Sequence, residues 1–163
     1  MANHKFDIII VGVGPAGCAC AYQLRDQNLS IALVDKAIFP RDKVCGDALS
    51  ADVVNQLYRM NEKLGHKFEH FAQKIDSNGV QFFAPNGNSL AIDFKNPNHG
   101  EAAGYISERI DFDDFLFNQV KELPHITLFM GNKVEDIQVE AEKVKVKLKD
   151  ELLTAQMIIG ADG

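Results

Sequence analysis

The fold of this protein is decided near its start, where residues 6–17 read Phe-Asp-Ile-Ile-Ile-Val-Gly-Val-Gly-Pro-Ala-Gly. The apolar run that ends at Val11 is rich in β-branched residues, as expected of a parallel strand buried on both faces. Helix-compatible residues follow over 16–27. Three glycines accompany these two segments at the spacing Gly-x-Gly-x-x-Gly, namely Gly12, Gly14 and Gly17. The stretch therefore predicts a strand, a tight turn and a helix, as in a nucleotide-binding βαβ unit.

Each glycine of this motif has its own physical role. Gly12 allows the tight turn, Gly14 lets the backbone approach a pyrophosphate, and Gly17 permits close packing of the helix on the strand. Pro15 fits the first helical turn because its missing N–H is not needed there, and Ala16 belongs to the same turn. The unpaired N–H groups and partial positive charge of this turn favour a bound diphosphate.

The second strand of the unit supports the same interpretation. A second apolar run, 31–34, ends at Asp35. A carboxylate at this place can accept hydrogen bonds from two ribose hydroxyls. Its charge repels a 2′-phosphate, so NADP is disfavoured at this site. The fingerprint alone leaves FAD and NAD open, and a glycine-rich turn without a ligand remains the alternative.

The rest of the chain predicts a mixture of helices and strands. Helices are expected from about Ser50 to Tyr58, with Ser50 as a possible N-cap, and after Asp111, which would be an N-cap. Two apolar runs flank the turn 85–88, which contains Asn-Gly, and predict a β-hairpin. This hairpin interrupts the alternation of strands and helices, so residues 76–104 are interpreted as an insertion.

The C-terminal third predicts further β-structure. Segments 133–139 and 143–149 alternate like an antiparallel pair with one wet face. Segment 152–159 reads as one final strand that leads into a glycine-containing turn. The sequence thus predicts an α/β fold, in which a Rossmann-type parallel sheet carries an inserted β-hairpin and an antiparallel β element.

Composition limits the possible functions. The chain has 163 residues, 46% of them hydrophobic, and a net charge of -6, so nothing favours nucleic acid or an anionic membrane surface as a partner. The N-terminus lacks the layout of a signal peptide, and no apolar stretch is long enough for a membrane span. These features predict a cytoplasmic protein. Cys18 and Cys20 are interpreted as small buried hydrophobic residues of a reduced compartment.

No metal site is predicted. His66 and His70 stand four residues apart with Glu69 between them, a spacing that could hold a metal on a helix face. The order differs from His-Glu-x-x-His and no third ligand is evident. A solvated helix face is the preferred interpretation.

Three further segments carry a resemblance to a known family. The loop 39–47, Phe-Pro-Arg-Asp-Lys-Val-Cys-Gly-Asp, resembles the loop after the second strand in the geranylgeranyl reductase family. Those proteins belong to a class of FAD-dependent oxidoreductases that also holds aromatic hydroxylases and tryptophan halogenases. Segment 160–163, Gly-Ala-Asp-Gly, resembles the second fingerprint of that class, and segment 109–113 resembles its arginine-bearing segment. The three occur in the family's order, which implies a glutathione-reductase-like, FAD-binding fold.

The resemblance also implies which residues meet the cofactor. Arg41 and Arg109 would contact FAD, and a guanidinium suits phosphate oxygens; a surface arginine paired with Asp42 or Asp111 is the alternative. Cys45 and Gly46 would pass near the isoalloxazine, where Cys45 could shape the pocket or tune the flavin, or have no chemical role. The remaining cofactor positions that it implies are Lys36, Val134 and Asp162.

The same resemblance implies a reaction. FAD would take electrons from NADH, NADPH or another donor, and reduced flavin would deliver a hydride to a carbon–carbon double bond of a prenyl lipid. Such a substrate would require transient membrane docking. Hydroxylation or halogenation with oxygen is one alternative, and a non-catalytic dinucleotide-binding fragment is another. Residues 1–163 are expected to be the N-terminal part of an FAD-binding domain, with the hairpin 76–104 in a substrate-side sheet. No confident catalytic residue is found, and this part alone should bind FAD weakly and be inactive.

Overall fold

A computed structural model describes residues 2–94 and 102–163 of the chain. They form two compact units. The first unit comprises the residues up to Asp42 and those from Asp113 onward, and the second comprises Lys43–Phe112. The predicted insertion 76–104 lies in the second unit, and its residues 95–101 lie outside the described part.

The described residues form thirteen strands and four helices. In chain order these are β1 (Ala2–Lys5), β2 (Ile8–Val11), α1 (Pro15–Gln23), β3 (Ile31–Asp35), β4 (Ala48–Ser50), α2 (Ala51–Met60), α3 (Glu62–Glu69), β5 (Ile75–Asp76), β6 (Gly79–Phe83), β7 (Ser89–Asp93), β8 (Gly104–Ile106), α4 (Arg109–Val120), β9 (Ile126–Met130), β10 (Asp136–Val139), β11 (Val144–Lys147), β12 (Glu151–Ala155) and β13 (Met157–Gly160).

A parallel sheet with the order β13-β2-β3-β9 carries the first unit. Its central strand β2 is apolar at every position, and Ile9 and Ile10, whose side chains point to opposite faces, are both fully buried. Such burial on both faces requires the continuous apolar run of this strand. The predicted α/β fold with a Rossmann-type parallel sheet is confirmed.

The first helix is shorter than the sequence predicts. Pro15 occupies its first turn, and its small residues Gly17, Cys18 and Ala21 are buried. The helix ends at Gln23 and not at Gln27, because the chain continues in tight turns. Both the backbone N–H and the guanidinium of Arg25 donate to the carbonyl oxygen of Tyr22, at 3.3 and 2.9 Å.

A second sheet, with the order β1-β12-β11-β10, belongs to the same unit. The predicted antiparallel element is present as β10 and β11. Strand β1 was not predicted; it pairs in parallel with β12, and its polar sequence gives no strand signal. The expectation of one strand over 152–159 is wrong, because β12 and β13 belong to different sheets. The backbone N–H groups of Gln156 and Met157 both donate to the Asp7 carbonyl oxygen at 3.2 Å, which turns the chain between the sheets.

The hydrophobic core of the first unit lies between these two sheets. Residues of the parallel sheet, including Ile9, Val34 and Phe129, pack in one cluster with residues of the antiparallel sheet, including Val146 and Leu153. Strand β2, which carries the glycine-rich turn, is therefore fixed from one face by this core. Helix α1 contacts β2 and β3.

The second unit combines two helices with two small sheets. Strands β4 and β5 flank β8 in an antiparallel sheet, and Phe68 of α3 packs edge-on against Tyr105 and Phe112. Ser50 is the N-cap of α2, as predicted, although its side chain makes no capping hydrogen bond. The predicted hairpin is confirmed as β6 and β7, which pair in register from Gly79↔Asp93 to Phe83↔Ser89.

Helix α4 begins three residues earlier than expected. The prediction that Asp111 is an N-cap is wrong, because the helix starts at Arg109 and Asp111 lies in its first turn. The backbone N–H of Asp111 donates to the Glu108 carbonyl oxygen at 3.1 Å, which closes a turn ahead of it. A carboxylate in the first turn still interacts favourably with the helix dipole.

No helix within the described ranges is both long and apolar enough to cross a membrane.

The contact between Gly17 and the turn gives a stability prediction. A Cβ on Gly17 would overlap the carbonyl oxygen of Gly12, which is backbone and cannot move aside. We expect Gly17→Ala to lower the free energy of unfolding by about 1–3 kcal/mol, as overpacking of a tight contact does. Urea denaturation measures the change. Gly46→Ala is the matched control, since a Cβ there meets no atom within 4 Å; equal stability of the two variants would contradict the tight contact.

Candidate functional site

The glycine-rich turn joins the end of β2 to the start of α1 and lies against the end of β13. Gly12 has φ +97°, a left-handed conformation, and a Cβ on it would clash with the backbone of Ala161. The N-cap position of α1 is Gly14, which offers no capping side chain, and the first turn contains no acidic residue. The N–H groups of a first helical turn have no partner within the helix. The start of α1 is therefore open to an anion.

Asp35, at the end of β3, faces this turn. Its Oδ2 accepts a hydrogen bond from the backbone N–H of Val13 at 2.8 Å, and its Oδ1 accepts one from Ala37 at 2.9 Å. Two ionised carboxylate oxygens offer about four acceptor positions. The side chain therefore holds the turn in place and keeps acceptor capacity at the edge of the parallel sheet.

A cavity of about 290 Å³ opens beside Asp35 at the carboxyl ends of the parallel strands. This edge is where open α/β sheets bind ligands. Of the residues predicted from the sequence, the cavity is lined by Gly12, Asp35, Lys36, Val134 and Asp162. These five are brought together although they are separated by up to 150 positions along the chain.

Two residues of the cavity, Asn132 and Lys133, were missed by the sequence analysis. The backbone N–H of Asn132 donates to the Asp35 carbonyl oxygen at 2.9 Å, and its Nδ2 donates to the Met130 carbonyl oxygen at 3.1 Å. Asn132 thus joins the ends of β3 and β9. The available signal was the position just after a parallel strand, because the carboxyl ends of such strands meet at one edge.

Arg41 also reaches the glycine-rich turn and belongs to the same unit. Its Nη2 is 3.4 Å from the place where a Cβ on Gly14 would be. Its Nη1 is 2.9 Å from Oδ2 of Asp113, and its guanidinium lies 5.0 Å from the centre of the Phe39 ring. The alternative pairing of Arg41 with Asp42 or Asp111 is replaced by this pairing with Asp113.

The other predicted cofactor residues belong to the second unit. Cys45 is exposed, and a hydrogen bond from Arg109 lowers the pKa of its thiol, with a smaller contribution from the backbone of Asp47. A Cβ on Gly46 meets no atom within 4 Å. Asp47 has φ +55°, a left-handed conformation that glycine adopts freely and aspartate tolerates.

The two other cysteines differ from Cys45. Burial raises the pKa of the Cys18 thiol to about 12, and Sγ of Cys18 donates to the Val13 carbonyl oxygen at 3.2 Å. Cys20 is half-buried, and burial raises the pKa of its thiol as well. These thiols pack on the sheet and are poor nucleophiles.

His66 makes contacts within its own helix pair. Its Nδ1 is 3.0 Å from Oε2 of Glu69 and 3.3 Å from the hydroxyl of Tyr58. His70 uses its Nδ1 to contact the carbonyl oxygen of His66 at 2.9 Å. Within ranges 2–94 and 102–163, no cluster of His, Cys, Asp and Glu side chains is suited to a metal ion.

The first unit has the features that an anionic dinucleotide requires. The start of α1 has no capping side chain. A Cβ on Gly12 would clash with backbone atoms, and a Cβ on Gly14 would touch Arg41, so both glycines leave room at the turn. The buried Nη1 of Arg41 has no partner of hydrogen-bond geometry among the described residues. A guanidinium and a helix N-terminus are suitable partners for phosphate oxygens. The carboxylate of Asp35 and the cavity beside it suit the sugar and base.

Proteins of related sequence carry names from lipid metabolism. The chain is 29% identical to a menaquinone reductase of Mycolicibacterium smegmatis over 99% of its own length and 38% of that protein. It is 37% identical to a digeranylgeranylglycerophospholipid reductase of Sulfolobus acidocaldarius over 52% of its own length and 18% of that protein. The resemblance to this class of reductases is confirmed. The chain spans well under half the length of these relatives.

Solved structures confirm the fold. A mutant of the halogenase PltM, crystallised in complex with FAD, superimposes with a TM-score of 0.79 at 22% sequence identity, over 96% of this chain and 34% of that one.

The model of one protein family, described as glucose inhibited division protein A, matches residues 7–163. That match includes the glycine-rich turn, Asp35 and every other residue of the cavity. The chain therefore belongs to the glucose inhibited division protein A family.

Proposed function

We propose that this chain forms the FAD-binding part of an oxidoreductase. One observation carries the proposal: the guanidinium of Arg41 and the carboxylate of Asp35 both reach the turn at the uncapped start of α1. A diphosphate flanked by a ribose needs these three features side by side. The diphosphate would lie over Gly14, Pro15, Ala16 and Gly17, where helical N–H groups and Arg41 offer donors.

The adenosine half would occupy the cavity at the sheet edge. Asp35 would accept hydrogen bonds from the ribose, and Lys36, Val134 and Asp162 line the space around it. A fixed carboxylate beside the 2′-hydroxyl opposes a 2′-phosphate, which favours FAD or NAD over NADP. The choice of FAD over NAD is supported by the halogenase of the same fold, which was crystallised with FAD.

The second unit would serve the flavin and the substrate. We place Cys45, Gly46 and Arg109 beside the flavin half of the cofactor. The hairpin β6–β7 exposes several large apolar side chains, among them Phe82, Phe83 and Leu90. A two-stranded hairpin on its own is only marginally stable in water, so we expect further strands to pack beside it and extend its apolar face. We assign the insertion 76–104 to a substrate-side sheet on that ground.

The reaction would be the reduction of a carbon–carbon double bond in a prenyl lipid. Bound FAD, once reduced by NADH or NADPH, would supply a hydride to one carbon of the double bond, and a proton from water would add to the other. The chain's own residues bind the diphosphate, orient the sugar and shape the flavin's surroundings. The names of the two reductases support a prenyl-bearing substrate. We propose a cytoplasmic protein that docks on a membrane only transiently.

A second candidate function is hydroxylation or halogenation with oxygen, because the same fold occurs in a halogenase. A non-catalytic dinucleotide-binding module is a third. The requirement for oxygen separates the first two, and the absence of any turnover with bound FAD would favour the third.

Asp35 provides the direct test of cofactor binding. We expect Asp35→Asn to weaken FAD binding about 10- to 100-fold, because hydrogen bonds to a charged group contribute about 1.5–3 kcal/mol. Quenching of flavin fluorescence measures the affinity. FMN lacks the adenosine half, so its weaker binding should not change.

Two controls accompany this variant. Asp150→Asn removes an exposed carboxylate and should bind FAD like the parent protein. Because Asp35 also holds Val13 and Ala37, the unfolding of both variants is measured without ligand. Unchanged FAD affinity in a folded Asp35→Asn protein would contradict the proposed sugar contact.

Cys45 gives a pH-dependent prediction. Because the hydrogen bond from Arg109 favours the thiolate, the pKa of Cys45 is lowered, and alkylation by iodoacetamide should reach its half-maximal rate at a lower pH than that of free cysteine. Arg109→Met should shift this profile to higher pH. Mass spectrometry identifies the alkylated residue, with the buried Cys18 as the internal control. Bound FAD should slow the reaction, and an unaltered rate with FAD would remove Cys45 from the cofactor site.

The choice of reaction is tested with and without oxygen. The whole protein that carries this chain, loaded with FAD and reduced by dithionite, is mixed anaerobically with a geranylgeranyl lipid. We expect the lipid to gain two hydrogens for each reduced double bond, read by mass spectrometry, at a rate that does not require oxygen. A product that forms only in air and carries an added oxygen or halogen would favour the second candidate.

A further inference from the structure

Helix α4 contains a carboxylate that the sequence analysis did not single out. Asp113 has no exposed surface at all, whereas Asp114 beside it is partly exposed. Removing a carboxylate from water is strongly unfavourable unless a cation and hydrogen bonds compensate for the lost solvation. The cation that faces Asp113 is Arg41, whose side chain is 17% exposed.

The same face of α4 makes a second contact with the Arg41 segment. Phe117 lies one helical turn after Asp113, so the two side chains share a face. The Phe117 ring is 4.9 Å from the ring of Phe39, and the Arg41 guanidinium is 5.0 Å from the Phe39 ring. Helix α4 therefore holds the segment 39–41 at two points, one apolar and one charged.

The other end of the guanidinium reaches the glycine-rich turn. Nη2 of Arg41 is 3.4 Å from the Cβ position of Gly14, the N-cap of α1. Nη1 is 2.9 Å from Oδ2 of Asp113, yet it has no partner of hydrogen-bond geometry among the described residues. The ion pair thus fixes the guanidinium and places its Nη2 next to the start of α1.

We propose that Asp113 is a positioning residue for the cofactor's diphosphate: it holds the Arg41 guanidinium over Gly14, so that the free donors of Arg41 meet the phosphate oxygens. The proposal rests on the proposed FAD site. Because Asp113 already compensates the charge of Arg41, the arginine contributes directed donors more than net charge. Replacing Asp113 would not change the charge of Arg41, but the guanidinium would no longer be held over the turn.

A double-mutant cycle tests this role. Asp113→Asn should weaken binding of FAD and of ADP about tenfold or more in the presence of Arg41, and should change neither affinity in an Arg41→Met background. Adenosine, which lacks phosphates, should bind equally to all four proteins. Asp114→Asn, which alters the neighbouring carboxylate of α4, is the matched control and should bind like the parent.

The unfolding of the ligand-free proteins provides an independent measurement. Arg41→Met removes a cation that lies 2.9 Å from the buried Asp113 carboxylate, so adding Asp113→Asn to it should raise the urea midpoint. Asp113→Asn alone should lower the midpoint. The opposite effects of Asp113→Asn on the urea midpoint, with and without Arg41, would identify the ion pair in the absence of any cofactor.

The outcomes separate the two proposals. If the parent protein binds neither FAD nor ADP, the proposed function fails, whatever the stabilities show. If the parent binds FAD but Asp113→Asn weakens binding equally with and without Arg41, Asp113 has only a general structural role and the inference is overturned. Coupled loss of FAD and ADP affinity, with unchanged adenosine binding, supports it.

Discussion

The structure depends on the contact between Gly17 and the carbonyl oxygen of Gly12. At this point the first helix, the first strand of the parallel sheet and the chain after β13 approach one another with no room for a Cβ. The close approach holds the first turn of α1 against the turn that follows β2. It also brings that start within reach of Asp35, whose carboxylate accepts the Val13 N–H. The position of the glycine-rich turn at this edge of the sheet depends on this steric constraint.

The site balances its charges locally although the chain carries a net charge of -6. Lys36 and Lys133 share the cavity with Asp35 and Asp162, and Arg41 is paired with Asp113. An anion would therefore be held by oriented donors at short range more than by a long-range field. Such an arrangement would select among anions by their geometry, because each N–H donor needs an acceptor oxygen at the right position.

The sequence predicted those parts of the fold that local patterns determine. The apolar run of β2, the glycine spacing and the Asn-Gly turn of the hairpin each have a steric cause within a few residues, and each element is present. The predicted members of the cavity also come together, because the ends of parallel strands share an edge.

What the sequence could not predict depends on distant partners. Strand β1 is polar and forms only because β12 pairs with it. The partner of Arg41 lies 72 positions away on α4, and no local pattern links the two residues. The contribution of Asn132 consists of hydrogen bonds to the ends of two strands, which no local motif encodes.

The one-residue connection between β12 and β13 has a consequence for the length of the chain at this point. Gln156 is the single residue between β12, which belongs to the sheet β1-β12-β11-β10, and β13, which belongs to the parallel sheet. Because side chains alternate along a strand, one residue gained or lost there would exchange the inner and outer faces of one sheet relative to the other. Residue 156 can be any residue that keeps the backbone N–H donor to Asp7, whereas a change of chain length at this position would require one of the two sheets to change its register.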